Sequence, residues 1–172
     1  MKITNAILSF FLCYSLSVGQ NLWFEGNLKS LEDFSLEINI IGLEDNVWKS
    51  KLYNFSELRF LEHKILILKK QIPKLVIDIN IIDSKINRTS SYLIALSLYN
   101  YSISERLYYK SIADTLITKK LMTSKLYSNE ILGQSSPNSL YKDVEKSMNK
   151  LISNFIDQWY QDNPVKQFNF VD

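Results

Sequence analysis

Residues 74–102 read KLVIDINIIDSKINRTSSYLIALSLYNYS, and the rest of the predicted architecture is built outward from them. The first part alternates apolar and polar side chains, which is the period of two that a β-strand imposes. The second part is apolar at nearly every position, which is typical of a central strand buried on both faces. The pattern predicts strands over Lys74–Ile82 and Ser91–Ser102, joined by the polar hairpin connection SKINRTS.

The residues upstream predict a further strand and a helix. Phe34–Ile40 alternates with a period of two and predicts a half-buried strand, which Gly42 ends. Residues 45–62 carry apolar side chains at spacings near three and four, and this periodicity predicts an amphipathic helix. Its apolar residues are Val47, Trp48, Leu52, Phe55, Leu58 and Leu61. Asp45 or Asn46 can cap this helix, and Ile65–Leu68 predicts a short strand beyond it.

The residues downstream predict one more strand and a long helix. Residues 103–115 fit a helix or a strand equally well, and Thr115–Leu126 predicts a strand. Gly133–Asn138 reads as a loop, after which Ser136 or Asn138 caps a helix that runs to about Asp162. The apolar stripe of that helix is predicted to lie in the core and consists of Leu140, Val144, Met148, Leu151, Phe155 and Trp159.

These elements together predict an α+β fold. We expect a two-layer sandwich, with a mostly antiparallel sheet of four to five strands and two amphipathic helices packed on one face. The chain of 172 residues is long enough for one such domain. Residues 20–164 are assigned to that domain, and residues 165–172 to a C-terminal tail.

The first residues have the pattern of a secretory signal peptide. Residues 1–19 combine Lys2 with an apolar run from Ala6 to Val18, and Gly19 supplies a small residue at the predicted cleavage point. The alternative is a retained membrane anchor, but the apolar run is short for a bilayer span, so we expect no stable membrane span after cleavage. The pattern predicts export to the periplasm or the extracellular space.

Composition and motifs argue against most enzyme chemistry. Cys13 lies in the predicted signal peptide, and His63 is the single histidine of the chain. No Gly-x-Ser-x-Gly elbow and no glycine-rich phosphate loop is present, so we predict no catalytic, cofactor-binding or metal-ligating residues. Carboxylate pairs remain as an alternative, with Asp78 and Asp83 or Glu44 and Asp45 as the acid and base of a hydrolase.

The charge balance gives no sign of a nucleic-acid partner. The chain has 20 Lys and Arg against 18 Asp and Glu, a formal net charge of +2. A nucleic-acid-binding protein usually carries a larger basic excess that is gathered into a stripe. We therefore predict no nucleic acid among its partners, while the oligomeric state stays open.

The C-terminal helix resembles a group of uncharacterised, secreted bacterial proteins that end in the pattern V-x-x-L-V-x-x-F-x-x-D-[WY]-x-x-x-N-P. The matching residues are Leu151, Ile152, Phe155, Asp157, Trp159, Asn163 and Pro164. PKLVIDINII and YLIALSLYNY resemble that group's paired strands, and KLYSNEILGQ resembles its strand ending at a glycine, so the resemblance covers residues 33–164. It implies an envelope or secreted protein without a known activity.

The predicted arrangement is also similar to two kinds of envelope domain. These are the amino-terminal domain of the Tol translocation propeller protein and the curli-secretion lipoprotein family, which are interaction and assembly modules. This similarity is one of architecture, and architecture alone does not determine function.

Three functions follow as hypotheses. The first is a non-enzymatic periplasmic module that binds a protein partner during envelope assembly. Its candidate contact residues are Trp23, Phe24, Phe34, Leu36 and Ile38. The second is a carrier of a small hydrophobic ligand in a cavity between helices and sheet, and the third is the carboxylate-dependent hydrolase.

Overall fold

The computed structural model of this protein describes residues 26–84, 89–103 and 121–164. These ranges contain, in chain order, β1 (Asp33–Ile41), α1 (Asn46–Glu62), β2 (Leu66–Ile67), β3 (Lys74–Ser84), β4 (Thr89–Ser102), β5 (Met122–Ser135) and α2 (Leu140–Asp162). The predicted signal peptide, the C-terminal tail from residue 165, and most of the ambiguous segment 103–115 lie outside the described residues.

The five strands form one sheet in the order β2-β1-β3-β4-β5. β4 pairs antiparallel with both β3 and β5, whereas β1 pairs parallel with both β2 and β3. The parallel pairs arise because α1 carries the chain back to the starting end of β1, as a crossover connection requires. The α+β sandwich predicted from the sequence is confirmed, with a mixed sheet in which the two longest ladders are antiparallel.

Both helices cover the same face of the sheet, and an aromatic cluster fills the space beneath them. The ring of Phe34 on β1 packs edge-on against Phe60 of α1 at 5.0 Å and against Phe155 of α2 at 5.9 Å between centroids. Tyr127 of β5 packs against Phe155 at 5.2 Å. Edge-to-face pairs at these distances are favourable beyond the apolar area that they bury.

The buried face of α1 differs from the prediction. Its buried residues recur every four positions and are Trp48, Leu52, Ser56 and Phe60. Val47, Leu58 and Leu61 are exposed instead. Apolar residues that fall one position off a stripe point away from it by a quarter turn or more, so a helix with apolar residues on two sides does not reveal which side is buried.

The junction between β5 and α2 also corrects the prediction. Gly133 and Ser135 were expected in a loop, but β5 runs to Ser135, which pairs with Ser90 of β4. Gly133 is suited to this position because the ring of Tyr92 on β4 lies across it, and a Cβ there would come within 2.3 Å of that ring. The N-cap of α2 is Ser139 rather than Ser136 or Asn138.

Gly42 ends β1 as predicted, for a reason that is specific to glycine. Its φ of +91° lies in a region that other residues rarely adopt. A Cβ at Gly42 would lie 1.9 Å from the backbone oxygen of Ile81 on β3. This close approach turns the chain from the end of β1 into α1.

Candidate functional site

Among the described residues the sheet has two open edges, the outer side of β5 and the part of β1 that β2 leaves uncovered, and a groove lies beside the free edge of β1. β2 pairs only with the first two residues of β1, with Asp33 opposite Leu66 and Phe34 opposite Ile67. The backbone N–H of Leu68 then donates to the carbonyl oxygen of Phe34 at 2.9 Å, and β2 ends. Over the remaining residues of β1, no other described strand lies on the side away from β3.

The backbone groups that face this free edge can be assigned from their neighbours. The N–H of Ser35 donates to the carbonyl oxygen of Pro73 at 2.9 Å, so Ser35 faces the β3 side. Successive residues of a strand in a parallel ladder alternate between their two neighbours. The N–H and C=O groups of Leu36, Ile38 and Ile40 therefore face the free edge, and no hydrogen bond within the described ranges uses them.

A groove runs beside the same edge, between β1 and the outer face of α1. Its volume is about 390 Å³. Its lining residues are Ile38, Asn46, Lys49, Ser50, Tyr53 and Asn54. The side chain of Ile38 is 3% exposed, so it forms a largely buried floor, while the helix residues supply a polar wall.

The charge in this groove comes from Lys49. The carboxylate of Glu37 on β1 pairs with Lys74 at 2.9 Å, and Lys51 on α1 pairs with Glu145 at 2.7 Å. Within the described part of the chain, no carboxylate forms an ion pair with Lys49. The groove therefore offers an ammonium group beside backbone donors and acceptors that no described residue uses.

Glu37 lies next to the free edge but on the opposite face of the sheet from the groove. Hydrogen bonds from Lys74, and then from Asn39, lower the pKa of its carboxyl below the ordinary value. Asn39 also donates to Asp78 at 3.0 Å on the neighbouring strand. These polar contacts keep the face behind β1 partly solvated, as the alternation in the sequence predicts.

The predicted contact residues fall into three groups. Trp23 and Phe24 lie outside the described residues. Phe34 is 0% exposed and Ile38 is 3% exposed, so these two side chains pack in the core and do not themselves reach the surface. Leu36 is half-buried against the core, and what this strand offers is its backbone edge. Alternation in the sequence indicates the strand, but it does not show which other strands pair with it.

The structure places the predicted core stripe of α2 in the core. Its six residues, Leu140, Val144, Met148, Leu151, Phe155 and Trp159, are all buried. They are joined by Ile152 and Ile156, which widen the stripe on the side that faces the sheet. This face of α2 is therefore part of the fold and offers no surface to a partner.

The residues of the C-terminal pattern bind the chain segment that precedes β1. The indole N–H of Trp159 donates to the carbonyl oxygen of Leu31 at 2.7 Å. The side-chain amide of Asn163 donates to the carbonyl oxygen of Leu28 at 2.9 Å and accepts from the N–H of Ser30 at 2.8 Å. Both Trp159 and Asn163 belong to the C-terminal sequence pattern, and these hydrogen bonds give each of them a structural role in the fold.

The carboxylate of Asp162 completes this attachment. Its two oxygens accept from the N–H groups of Gly26 and Leu28, each at 2.8 Å. Asp157, which also belongs to the pattern, lies on the exposed side of α2. The end of α2 therefore holds residues 26–31 through their backbone.

The candidate catalytic groups lie at three places in the fold, which are the two ends of α1 and the strand β3. His63 follows α1 and lies 3.0 Å from the hydroxyl of Tyr160, and Asp45 caps α1 by accepting from the N–H of Trp48 at 2.9 Å. Asp78 lies on the partly solvated face, and the side chain of Asp83 is not among those described. The described residues contain no group of three or more His, Cys, Asp or Glu side chains that could hold a metal ion.

No helix within residues 26–84, 89–103 or 121–164 has both the length and the apolar character needed to cross a membrane.

Comparisons with known proteins leave the family open. No protein-family model and no curated protein matches the chain. Among solved structures, a minor lipoprotein from Acinetobacter baumannii aligns with 81% of this chain and 90% of its own, at 6% sequence identity and a TM-score of 0.23. A TM-score of this size does not establish a common fold, so the functional argument rests on the chain itself.

Proposed function

We propose that this protein is an exported, non-enzymatic protein-binding module of the bacterial envelope, which takes up an extended segment of a partner at the free edge of β1. One observation carries the proposal. β2 covers Asp33 and Phe34 only, and the backbone groups of Leu36, Ile38 and Ile40 face outward without a partner among the described residues.

The free edge is a suitable template for a sixth strand. An unpaired strand edge presents a row of N–H and C=O groups, and an extended peptide can add to it through main-chain hydrogen bonds. Each such bond contributes about 0.5–1.5 kcal/mol net. The three outward residues fit a segment of about five residues, since every second residue of a strand faces a given edge.

Export is supported by the first 19 residues, whose pattern is that of a signal peptide. The resemblance of the C-terminal helix to secreted bacterial proteins favours the same location. A role in envelope assembly is the function that fits a binding module at that location.

Carriage of a hydrophobic ligand between helices and sheet finds less support. The rings of Phe34, Phe60, Phe155 and Tyr127 occupy that space in edge-to-face contact, with Phe60 and Phe155 at 5.8 Å. Closely packed rings leave little room for an internal ligand.

The proposal is tested by removing one outward donor from the edge. In Ile40→Pro the ring replaces an N–H that faces the free edge, so the ladder to β3 is retained. Ile40→Ala is the matched control, because it loses the same side-chain packing but keeps the N–H. The protein is expressed in its native host, crosslinked and recovered, and the amount of each specifically crosslinked partner is measured.

We expect Ile40→Pro to lower the capture of that partner about tenfold relative to Ile40→Ala. The partner's carbonyl group loses its donor, and leaving such a buried group unpaired costs about 1–3 kcal/mol. Circular dichroism establishes that both variants are folded. Equal capture by the two variants would reject the edge as the binding site, and capture of a second copy alone would identify self-association instead of a partner.

A further inference from the structure

If a partner segment binds at the free edge, as the proposed function requires, the groove beside that edge restricts which sequences the segment can have. Side chains of a strand alternate between its two faces. Every second side chain of a segment added to β1 would therefore enter the groove between Ile38 and α1. The groove lining then determines what those side chains are.

We propose that the bound segment presents an acidic side chain to Lys49 and, two residues away, an apolar side chain to Ile38 and Tyr53. Lys49 lines the groove and forms no ion pair within the described ranges. Tyr53 is half-buried and packs against the core, and together with Ile38 it gives the groove an apolar region.

The surroundings of Lys49 leave it available for a carboxylate. The first turn of α1 contains no acidic residue, and the carboxylate that lies at the positive end of the helix is that of its N-cap, Asp45. Glu44 is exposed and does not line the groove. Glu37 pairs with Lys74 at 2.9 Å, and the more distant charge of Lys49 makes a smaller contribution to the lowered pKa of its carboxyl.

The other nearby carboxylates are committed to contacts of their own. Asp45 accepts from the N–H of Trp48 at 2.9 Å and from the hydroxyl of Tyr141 at 3.1 Å. Glu145 accepts from Lys51 at 2.7 Å and from the indole N–H of Trp48 at 3.2 Å. An incoming acidic side chain therefore meets one positive group, two side-chain amides and two hydroxyl groups in this groove.

The spacing between the acidic and the apolar side chain of the bound segment follows from strand geometry. Positions i and i+2 of an extended chain lie on the same face, about 7 Å apart. An acidic residue beside Lys49 thus places the residue two positions away over the apolar region. The predicted signature of the partner segment is acidic-x-apolar, in either direction along the chain.

The first measurement identifies the segment itself. A benzophenone amino acid is placed at Asn54, which is exposed and lines the groove, in the full-length protein in its native host. Photocrosslinked peptides are sequenced by mass spectrometry. We expect segments that carry Asp or Glu two residues from an apolar residue, and crosslinked segments without an acidic residue would overturn the inference.

The second measurement reverses the charge in the groove. Lys49→Glu is compared with Lys150→Glu, which makes the same change of net charge at an exposed position of α2. We expect Lys49→Glu to lower capture of the identified partner about fivefold to tenfold and Lys150→Glu to leave it unchanged, because a reversed pair replaces attraction with repulsion. Replacing the partner's acidic residue by Lys should restore capture by Lys49→Glu.

The two proposals fail in different ways. If Ile40→Pro lowers capture while Lys49→Glu behaves like Lys150→Glu, the edge stands as the binding site and the acidic signature is rejected. If Ile40→Pro captures as much partner as Ile40→Ala, both proposals are rejected. Loss of capture in both Ile40→Pro and Lys49→Glu, with the control unchanged, supports both.

Discussion

Asn163 shows how a residue of a recognisable sequence pattern can be explained by its structural contacts, with no catalytic role. Its side chain is nearly buried, and its amide joins the end of α2 to residues 28 and 30, which precede β1. It also donates to the carbonyl oxygen of Trp159 at 2.9 Å, which closes the helix. A pattern that ends in Asn-Pro thus marks the point where the two ends of the described domain meet.

This attachment predicts a clear difference between two residues of the pattern. Asn163→Ala leaves the N–H of Ser30 without its partner and removes one of the two hydrogen bonds that the carbonyl oxygen of Leu28 accepts, so we expect a loss of about 1–3 kcal/mol in the free energy of unfolding. Asp157→Ala, on the exposed face of α2, should change it by less than about 0.5 kcal/mol. Urea denaturation measures both, and equal effects would mean that the attachment contributes little.

Asp143 links two elements through its carboxylate. The hydroxyl of Ser135, at the end of β5, donates to its Oδ2 at 2.5 Å. This hydrogen bond, with a further contribution from Ser139, holds the pKa of Asp143 below its ordinary value. A carboxyl with a lowered pKa in the folded state stabilises the fold above the pKa that it has in the unfolded chain.

The pH dependence of that link can be predicted with its sign. The stabilisation from Asp143 is present above about pH 4 and is lost as the pH falls through the lowered pKa of the folded state. We expect Asp143→Asn to lower the melting temperature at neutral pH, with the difference from the parent protein closing as the pH falls below about 4. Asp157→Asn is the charge-matched control. A difference that stays constant down to pH 2 would contradict this assignment.

The elements themselves were predictable where one periodicity dominates. The stripe of α2 keeps steps of three and four from Leu140 to Trp159, and the structure buries all of it. Lys74–Ser84 and Thr89–Ser102 alternate strongly enough that only their ends differ from the prediction. In α1, by contrast, apolar residues lie on two sides, and the buried side is selected by contact with Phe34 and α2, which the local pattern does not contain.

The candidate site was less predictable than the elements that form it. Alternation indicated β1 and left open whether it lies at an edge. The answer depends on β2, a strand of two residues whose short length leaves the rest of β1 uncovered within the described chain. Strand pairing is set by contacts far apart in sequence, so the groove and the exposure of Lys49 beside it followed only from the assembled structure.

At the scale of the whole molecule, the sheet has two very different sides. β3 and β4 are paired along both edges, whereas β5 pairs with β4 from Ser135 to Met122 and its outer edge pairs with no described strand. At the other end of the sheet, β2 covers the beginning of β1 and no described strand covers the rest. The two edges differ in their surroundings, because the groove lined by α1 lies beside β1.

Because β1 pairs with β3 on one side and is largely uncovered on the other, we predict an alternating pattern of amide hydrogen exchange along this strand. The N–H groups of Glu37 and Asn39 face β3 and lie in its ladder, whereas those of Leu36, Ile38 and Ile40 face the free edge. We expect the outward amides to exchange at least about tenfold faster than the inward ones, because exchange requires an N–H that is free of its hydrogen bond. Residue-resolved exchange by nuclear magnetic resonance measures this directly.

The same experiment connects the architecture to the proposed binding. Uniform protection along β1 in the free protein would show that another part of the chain already covers the edge, and it would reject the strand-addition proposal. Fast exchange at Leu36, Ile38 and Ile40 that becomes slow when the partner segment is added would place that segment on the edge. The inward amides of Glu37 and Asn39 serve as the internal control, since their hydrogen bonds to β3 are present in both states.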